Sequence, residues 1–108
     1  MSLSDMLKKE ILSWEGVTEK PHRYGGVEFN YKNKELGHVH GDTLADLPFP
    51  KSIRDEILKQ GLAQPHHIFP NSGWISYYMK NEDDLPLLIH LFRLQYDRFV
   101  KKLDNSQM

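Results

Sequence analysis

The stretch that decides the fold is Val27-Glu28-Phe29-Asn30-Tyr31-Lys32-Asn33-Lys34-Glu35-Leu36-Gly37-His38-Val39-His40. Val27, Phe29 and Tyr31 alternate with polar neighbours, the period of a strand with one buried face. Lys32-Asn33-Lys34 is a polar turn, and Glu35 to His40 is the returning strand. His38 and His40 lie two residues apart, so both rings leave the same face. Which face that is depends on the turn. A three-residue loop pairs Tyr31 with Glu35 and sets Glu28 opposite His38. Glu28, His38 and His40 then share the polar face, and Val27, Phe29, Tyr31 and Val39 share the core face. A two- or four-residue loop reverses the parity and puts both histidines beside Val27 and Phe29. The first arrangement is preferred because it keeps two imidazoles out of an apolar layer. Its cost is Leu36 on the polar side.

Outward from this hairpin, Ser4 to Trp14 has helical spacing, with Leu7, Ile11 and Trp14 on one face, Ser4 as cap and Gly16 as stop. Asp42 to Pro50 is expected to be a loop. Pro50 can open a second helix, whose inner face is Ile53, Ile57 and Leu58 and whose end is Gly61. His66 to Phe69 then forms a short strand, Pro70-Asn71-Ser72-Gly73 a turn, and Trp74 to Met79 a strand of β-formers. Leu85, Leu88, Ile89, Phe92, Tyr96, Phe99 and Leu103 recur every three or four residues, the stripe of a closing helix capped by Asn81 or Asp83. Asp104 to Met108 should fray. The order α-β-β-α-β-β-α predicts an α+β fold: an antiparallel sheet from two hairpins with helices packed on one face. The 108 residues, without linker or repeat, make one domain.

Composition excludes much. With no cysteine, disulfides, thiolate catalysis and iron–sulfur clusters are ruled out. A net charge of -1 gives no reason to expect a nucleic-acid partner. No apolar run approaches the roughly 20 residues that span a bilayer, so no membrane partner is expected. The opening Met1-Ser2-Leu3-Ser4-Asp5 lacks the basic head and apolar stretch of a signal peptide, so a cytoplasmic location is expected.

Chemistry concentrates in the histidines. Five of the six lie in Pro21-His22-Arg23, Gly37-His38-Val39-His40-Gly41 and Pro65-His66-His67. The candidate ligand-binding residues are His22, Arg23, Glu28, His38, His40, His66, His67 and Trp74. Strand alternation lets only one of His66 and His67 join such a site. His22 and Arg23 can anchor a turn to a carboxylate such as Asp42 or Asp46. His38 and His40 are the candidate metal ligands, but a histidine pair on a strand is more often an ordinary hydrogen-bonded pair, so no metal and no other cofactor is expected. Gly25-Gly26 suits a close backbone approach. No nucleotide-binding glycine motif, H-E-x-x-H or G-x-S-x-G is present.

Trp14-Glu15-Gly16-Val17, Pro21-His22-Arg23-Tyr24-Gly25-Gly26-Val27-Glu28-Phe29 and Glu35-Leu36-Gly37-His38-Val39-His40-Gly41 resemble the luciferase domain, a bacterial and fungal family. Asp46-Leu47-Pro48-Phe49-Pro50, Pro65-His66-His67, Ser72-Gly73-Trp74-Ile75-Ser76 and Leu91-Phe92-Arg93-Leu94-Gln95-Tyr96 continue the resemblance; Gln64 stands where the family implies an acid. The family's name does not carry chemistry here, because a flavin-dependent luciferase barrel needs on the order of 200 residues or more. More remotely, the element order is similar to the double-wing proteins related to YjbR, which implies DNA binding.

Two function classes follow, and the binding module is the one expected, because no nucleophile or cofactor motif accompanies the histidines. One is a module that binds a small molecule or protein on an open polar face bearing Glu28, His38 and His40. The other is a small enzyme with a histidine as general base and Glu28 orienting it. A buried acid–imidazole pair in a closed pocket favours the enzyme, and a shallow open face favours the module.

Overall fold

The computed structural model describes residues 2–23 and 25–106. Three helices, α1 (Leu3–Ile11), α2 (Lys51–Lys59) and α3 (Leu85–Ser106), accompany six strands: β1 (Val17–Pro21), β2 (Val27–Tyr31), β3 (Lys34–His40), β4 (Leu44–Pro48), β5 (Gln64–Pro65) and β6 (Trp74–Tyr78). The strands form one antiparallel sheet in the order β1-β2-β3-β4-β6-β5, so the fold is α+β. Leu7 and Ile11 of α1, Ile57 of α2, and Leu88, Leu91 and Phe92 of α3 join Phe29, Val39, Ala45, Leu47 and Ile75 of the sheet in one core. No helix among the described residues is long and apolar enough to cross a membrane.

Two strands lie where none was expected. In β1 only Val17 is buried, and Thr18 to Pro21 face water, so this edge strand carries no alternation to detect. β4 replaces the predicted loop from Asp42 to Pro50. Its sequence, Leu-Ala-Asp-Leu-Pro, is poor in β-formers, yet it is held on both sides by β3 and β6. The sheet is therefore a four-stranded meander extended by β6 and β5, not two separate hairpins. The partner of β6 is Gln64–Pro65, and His66 to Phe69 is not a strand.

The helix ends also shift. Ser2, not Ser4, caps α1, accepting from the Asp5 amide at 3.1 Å, while the Ser4 amide donates to Asp42 Oδ1 at 2.8 Å. Pro50 precedes α2 as its N-cap, and Asn81 accepts from the Asp83 amide just ahead of α3. α3 continues to Ser106, past the expected fraying point at Asp104; Gln107 and Met108 lie outside the described residues.

The decisive hairpin reaches the preferred register by another route. Lys32 and Asn33 both adopt positive φ, 48° and 72°, in a two-residue turn that pairs Tyr31 with Lys34. Alone, that turn would turn His38 and His40 toward the core. A β-bulge corrects it: Asn30 pairs with Glu35 and Phe29 with Gly37, so Leu36 is the extra residue. Glu28 then stands opposite His38, and Leu36 is fully buried instead of facing the polar side. The bulge also requires glycine at position 37. A Cβ there would lie 2.8 Å from the Asp46 carbonyl oxygen and 2.9 Å from both Leu47 Cγ and Phe92 Cε1. Gly26, at φ 81°, similarly packs against the Val39 carbonyl, the close approach that the Gly25-Gly26 pair suggested.

Candidate functional site

The site begins as a row across the sheet. Lys20, Glu28, His38, Asp46, Ser76 and Gln64 are successive cross-strand partners on β1, β2, β3, β4, β6 and β5. Cross-strand partners share a face, and this face lies opposite the core positions Phe29, Val39, Ala45, Leu47 and Ile75. The centre of the row is not open to solvent: Asp46 is 1% exposed and His38 6%. The expectation of a shallow polar face is thus corrected. The segment after β5 and the β1–β2 turn rise on either side and leave a cavity of about 1020 Å³.

All eight candidate residues, His22, Arg23, Glu28, His38, His40, His66, His67 and Trp74, line this cavity. Asp46 and Glu35 line it too, and neither was singled out as a site residue. Asp46 is central. Its Oδ1 accepts from Ser76 Oγ at 2.7 Å, and its Oδ2 lies 3.2 Å from His67 Nε2, 3.3 Å from His38 Nε2, 3.3 Å from His40 Nε2 and 3.6 Å from His66 Nε2. Both His66 and His67 therefore join, against the expectation of one. The alternation that would separate them applies only within a strand, and they follow one.

Glu35 reaches the site because of the bulge. In an unbroken strand, residues three apart face opposite ways, but the extra Leu36 returns Glu35 to the face of His38. His38 Nδ1–H donates to Glu35 Oε2 at 2.7 Å. His22 stacks on His38 with ring centroids 3.8 Å apart and sets Nε2 3.8 Å from Glu35 Oε1, so its carboxylate neighbour is Glu35 rather than Asp42 or Asp46. Glu28 lies 3.8 Å from Lys20 Nζ, outside the position of an orienting acid, which Asp46 and Glu35 hold instead.

The electrostatics follow from this placement. Burial alone would lower the His38 pKa, but hydrogen bonds to Asp46 and Glu35 outweigh it and raise it to about 9. Burial would likewise raise the Asp46 carboxyl; hydrogen bonds from His38, Ser76 and His67 hold it well below the usual range instead. In the protein alone the two form an ion pair at neutral pH. His66 moves the other way: burial lowers its pKa, against the pull of Asp46. Its Nδ1 accepts from the Ile68 and Phe69 amides at 3.1 and 3.0 Å, which places the proton of the neutral ring on Nε2, facing Asp46. Burial, then the neighbouring His38, lowers His22.

Trp74 stands beside these rings, its centroid 5.4 Å from that of His38 and 5.8 Å from that of His66. Ile68 and Phe69, both largely exposed, continue an apolar wall to the rim. Trp14 is a core residue, buried against Tyr96.

An α+β domain with a buried carboxylate ringed by imidazoles at the floor of a cavity is the class that these observations define. A model of the luciferase domain matches residues 33–95, and the chain belongs to the luciferase domain family. No curated protein and no solved structure matches it. The matched segment carries Glu35, His38, His40, Asp46, His66, His67 and Trp74, while His22, Arg23 and Glu28 precede it.

Proposed function

We propose that the cavity binds a small molecule with a flat apolar body and an ionisable hydroxyl or acid group, and that the imidazole cluster handles that group's proton. The protein is then a small acid–base enzyme rather than an open binding face. The observation that carries this reading is the buried chain Glu35–His38–Asp46–Ser76 at the floor of a cavity of about 1020 Å³. A cavity of this size suits a drug-sized molecule, and burial with fixed hydrogen bonds separates the proton affinities of neighbouring groups, which acid–base chemistry needs. His40 and His67, with side chains 32% exposed, present ring edges to the cavity while their Nε2 atoms face Asp46. Trp74, Ile68 and Phe69 supply the wall against which a flat body packs.

Para-nitrophenol tests this directly, because its absorbance reports whether it is phenol or phenolate. At a pH below its own pKa, the wild-type protein should raise the phenolate band saturably. Trp74→Ala should weaken that binding by about tenfold, the loss of roughly 1.4 kcal/mol of aromatic contact. Absence of both binding and a change in ionisation would count against the reading.

A further inference from the structure

Four imidazole nitrogens face one oxygen atom, Asp46 Oδ2, at 3.2 to 3.6 Å. A carboxylate oxygen offers about two lone-pair positions. His66, its Nδ1 taken by two backbone amides, turns Nε2 toward this oxygen from 3.6 Å, beyond hydrogen-bond distance. His67 Nε2 takes one of the two, in hydrogen-bond geometry at 3.2 Å. His38 and His40 also aim Nε2 at this oxygen at 3.3 Å, so three imidazoles compete for two lone-pair positions. A cation among them would resolve the surplus.

The spacing fits one. His38, His40 and Asp46 each offer one ligand atom within 4.8 Å of the other two, and the Nε2 of each histidine is 3.3 Å from Asp46 Oδ2. Ligands held about 2.0–2.1 Å from a tetrahedral first-row ion are separated by roughly 3.3–3.4 Å. The supporting hydrogen bonds are also those of a metal centre. His38 donates its other ring N–H to Glu35 at 2.7 Å, and Ser76 Oγ fixes the far oxygen of Asp46 at 2.7 Å. All three donors sit on paired central strands, β3 and β4, which hold them rigidly.

We propose that His38, His40 and Asp46 bind one divalent first-row transition-metal ion, with its remaining coordination positions open to the cavity. The His38–His40 pair alone supplies two donors; Asp46, cross-strand from His38, supplies the third. Two imidazoles and one carboxylate on a single side of an ion suit zinc or iron(II), and leave room for an oxygen ligand from the cavity. The two other possible groupings fit less well. Among the described residues, His22, Glu35 and His38 would use the ring nitrogen that donates to Glu35, and the grouping of Asp46, His66 and His67 includes His66, whose Nε2 stands farther from Asp46 Oδ2, at 3.6 Å.

The test uses full-length protein freed of metal by a chelator and then titrated with cobalt(II), zinc or anaerobic iron(II). Cobalt(II) should bind at one equivalent per chain with visible d–d absorption, and zinc or iron(II) should displace it; whichever displaces it at lower concentration is the preferred ion. Saturating zinc should raise the melting temperature by about 10 °C. His40→Ala, at a half-exposed side chain, should fold and lose at least 100-fold in affinity, and Glu35→Gln should lose about 10–100-fold through His38. Trp74→Ala should keep the ion while losing para-nitrophenol, which separates this proposal from the small-molecule reading. Failure to take up one equivalent, or equal uptake by folded His40→Ala, would overturn it.

Discussion

Asp46→Ala should cost the chelator-treated protein about 3–5 kcal/mol of stability near pH 6, the largest loss expected from any change on the polar face. Asp46 is 1% exposed and stands at the meeting point of four imidazoles and a serine hydroxyl. Without it, His38 keeps Glu35 but loses its second anion, and Ser76 and His66 lose the acceptor they face. The loss should depend on pH with a definite sign. His38 has a folded value of about 9 against an ordinary 6.5, so its contribution is complete below 6.5 and disappears as pH rises through 9. Urea unfolding of wild type and variant should therefore differ most near pH 6 and differ less above about pH 9.5. A difference below 1 kcal/mol at every pH would mean that Asp46 does not organise the cluster.

Phe92→Ala should cost about 3–5 kcal/mol, a loss that arises on the opposite face of the sheet. Phe92 is fully buried on α3, set edge-on against Phe29 with ring centroids 5.7 Å apart. Its Cε1 also fills the space above Gly37, where the β3 bulge leaves no side chain. Truncation would open a cavity between helix and bulge that neither element can close, since the bulge is pinned by pairing to β2 and β4. The register that aligns Glu35 with His38 depends on the same bulge, so the variant should also weaken the site. Denaturant unfolding measures the first effect; a loss below 1 kcal/mol would show that α3 is not packed on the sheet in this way.

What was legible in the sequence follows from where each segment sits. The α3 stripe and the alternation of Val27, Phe29 and Tyr31 were readable because each element sends its apolar side chains to one face and its polar ones to the other, although β2 is covered on both. β1 and β4 were not. An edge strand with water on nearly all its side chains has no apolar period, and Leu-Ala-Asp-Leu-Pro, ending in Pro48 with Pro50 two residues on, resembles a loop until β3 and β6 claim it. Missing β4 concealed the central place of Asp46, between core-facing Ala45 and Leu47. The Glu28–His38 pairing was right although its supposed cause was not. A shorter turn and an extra residue offset one another, and neither is visible in an alternation pattern. The eight residues named in advance share one cavity because histidines, arginine and tryptophan, once kept out of the core, collect on the single polar face available.

The opposite shifts in the cluster give stability a maximum between two limits. His22 and His66 are held low, so their contributions exist above 6.5 and are lost as pH falls below it. Asp46 adds a loss at still lower pH, as its depressed carboxyl is finally protonated. His38 sets the alkaline side, and its displacement corresponds to roughly 3 kcal/mol shared between Asp46 and Glu35, of which Asp46→Ala removes only the Asp46 part. The measurement that tests the Asp46-centred cluster most directly is an NMR titration of the imidazole resonances in chelator-treated protein. His38 should remain protonated until about pH 9, while His22 and His66 lose their protons below 6.5. If His38 instead titrates near 6.5 together with the others, the buried Glu35–His38–Asp46 chain is not formed in solution, and the account of the site fails.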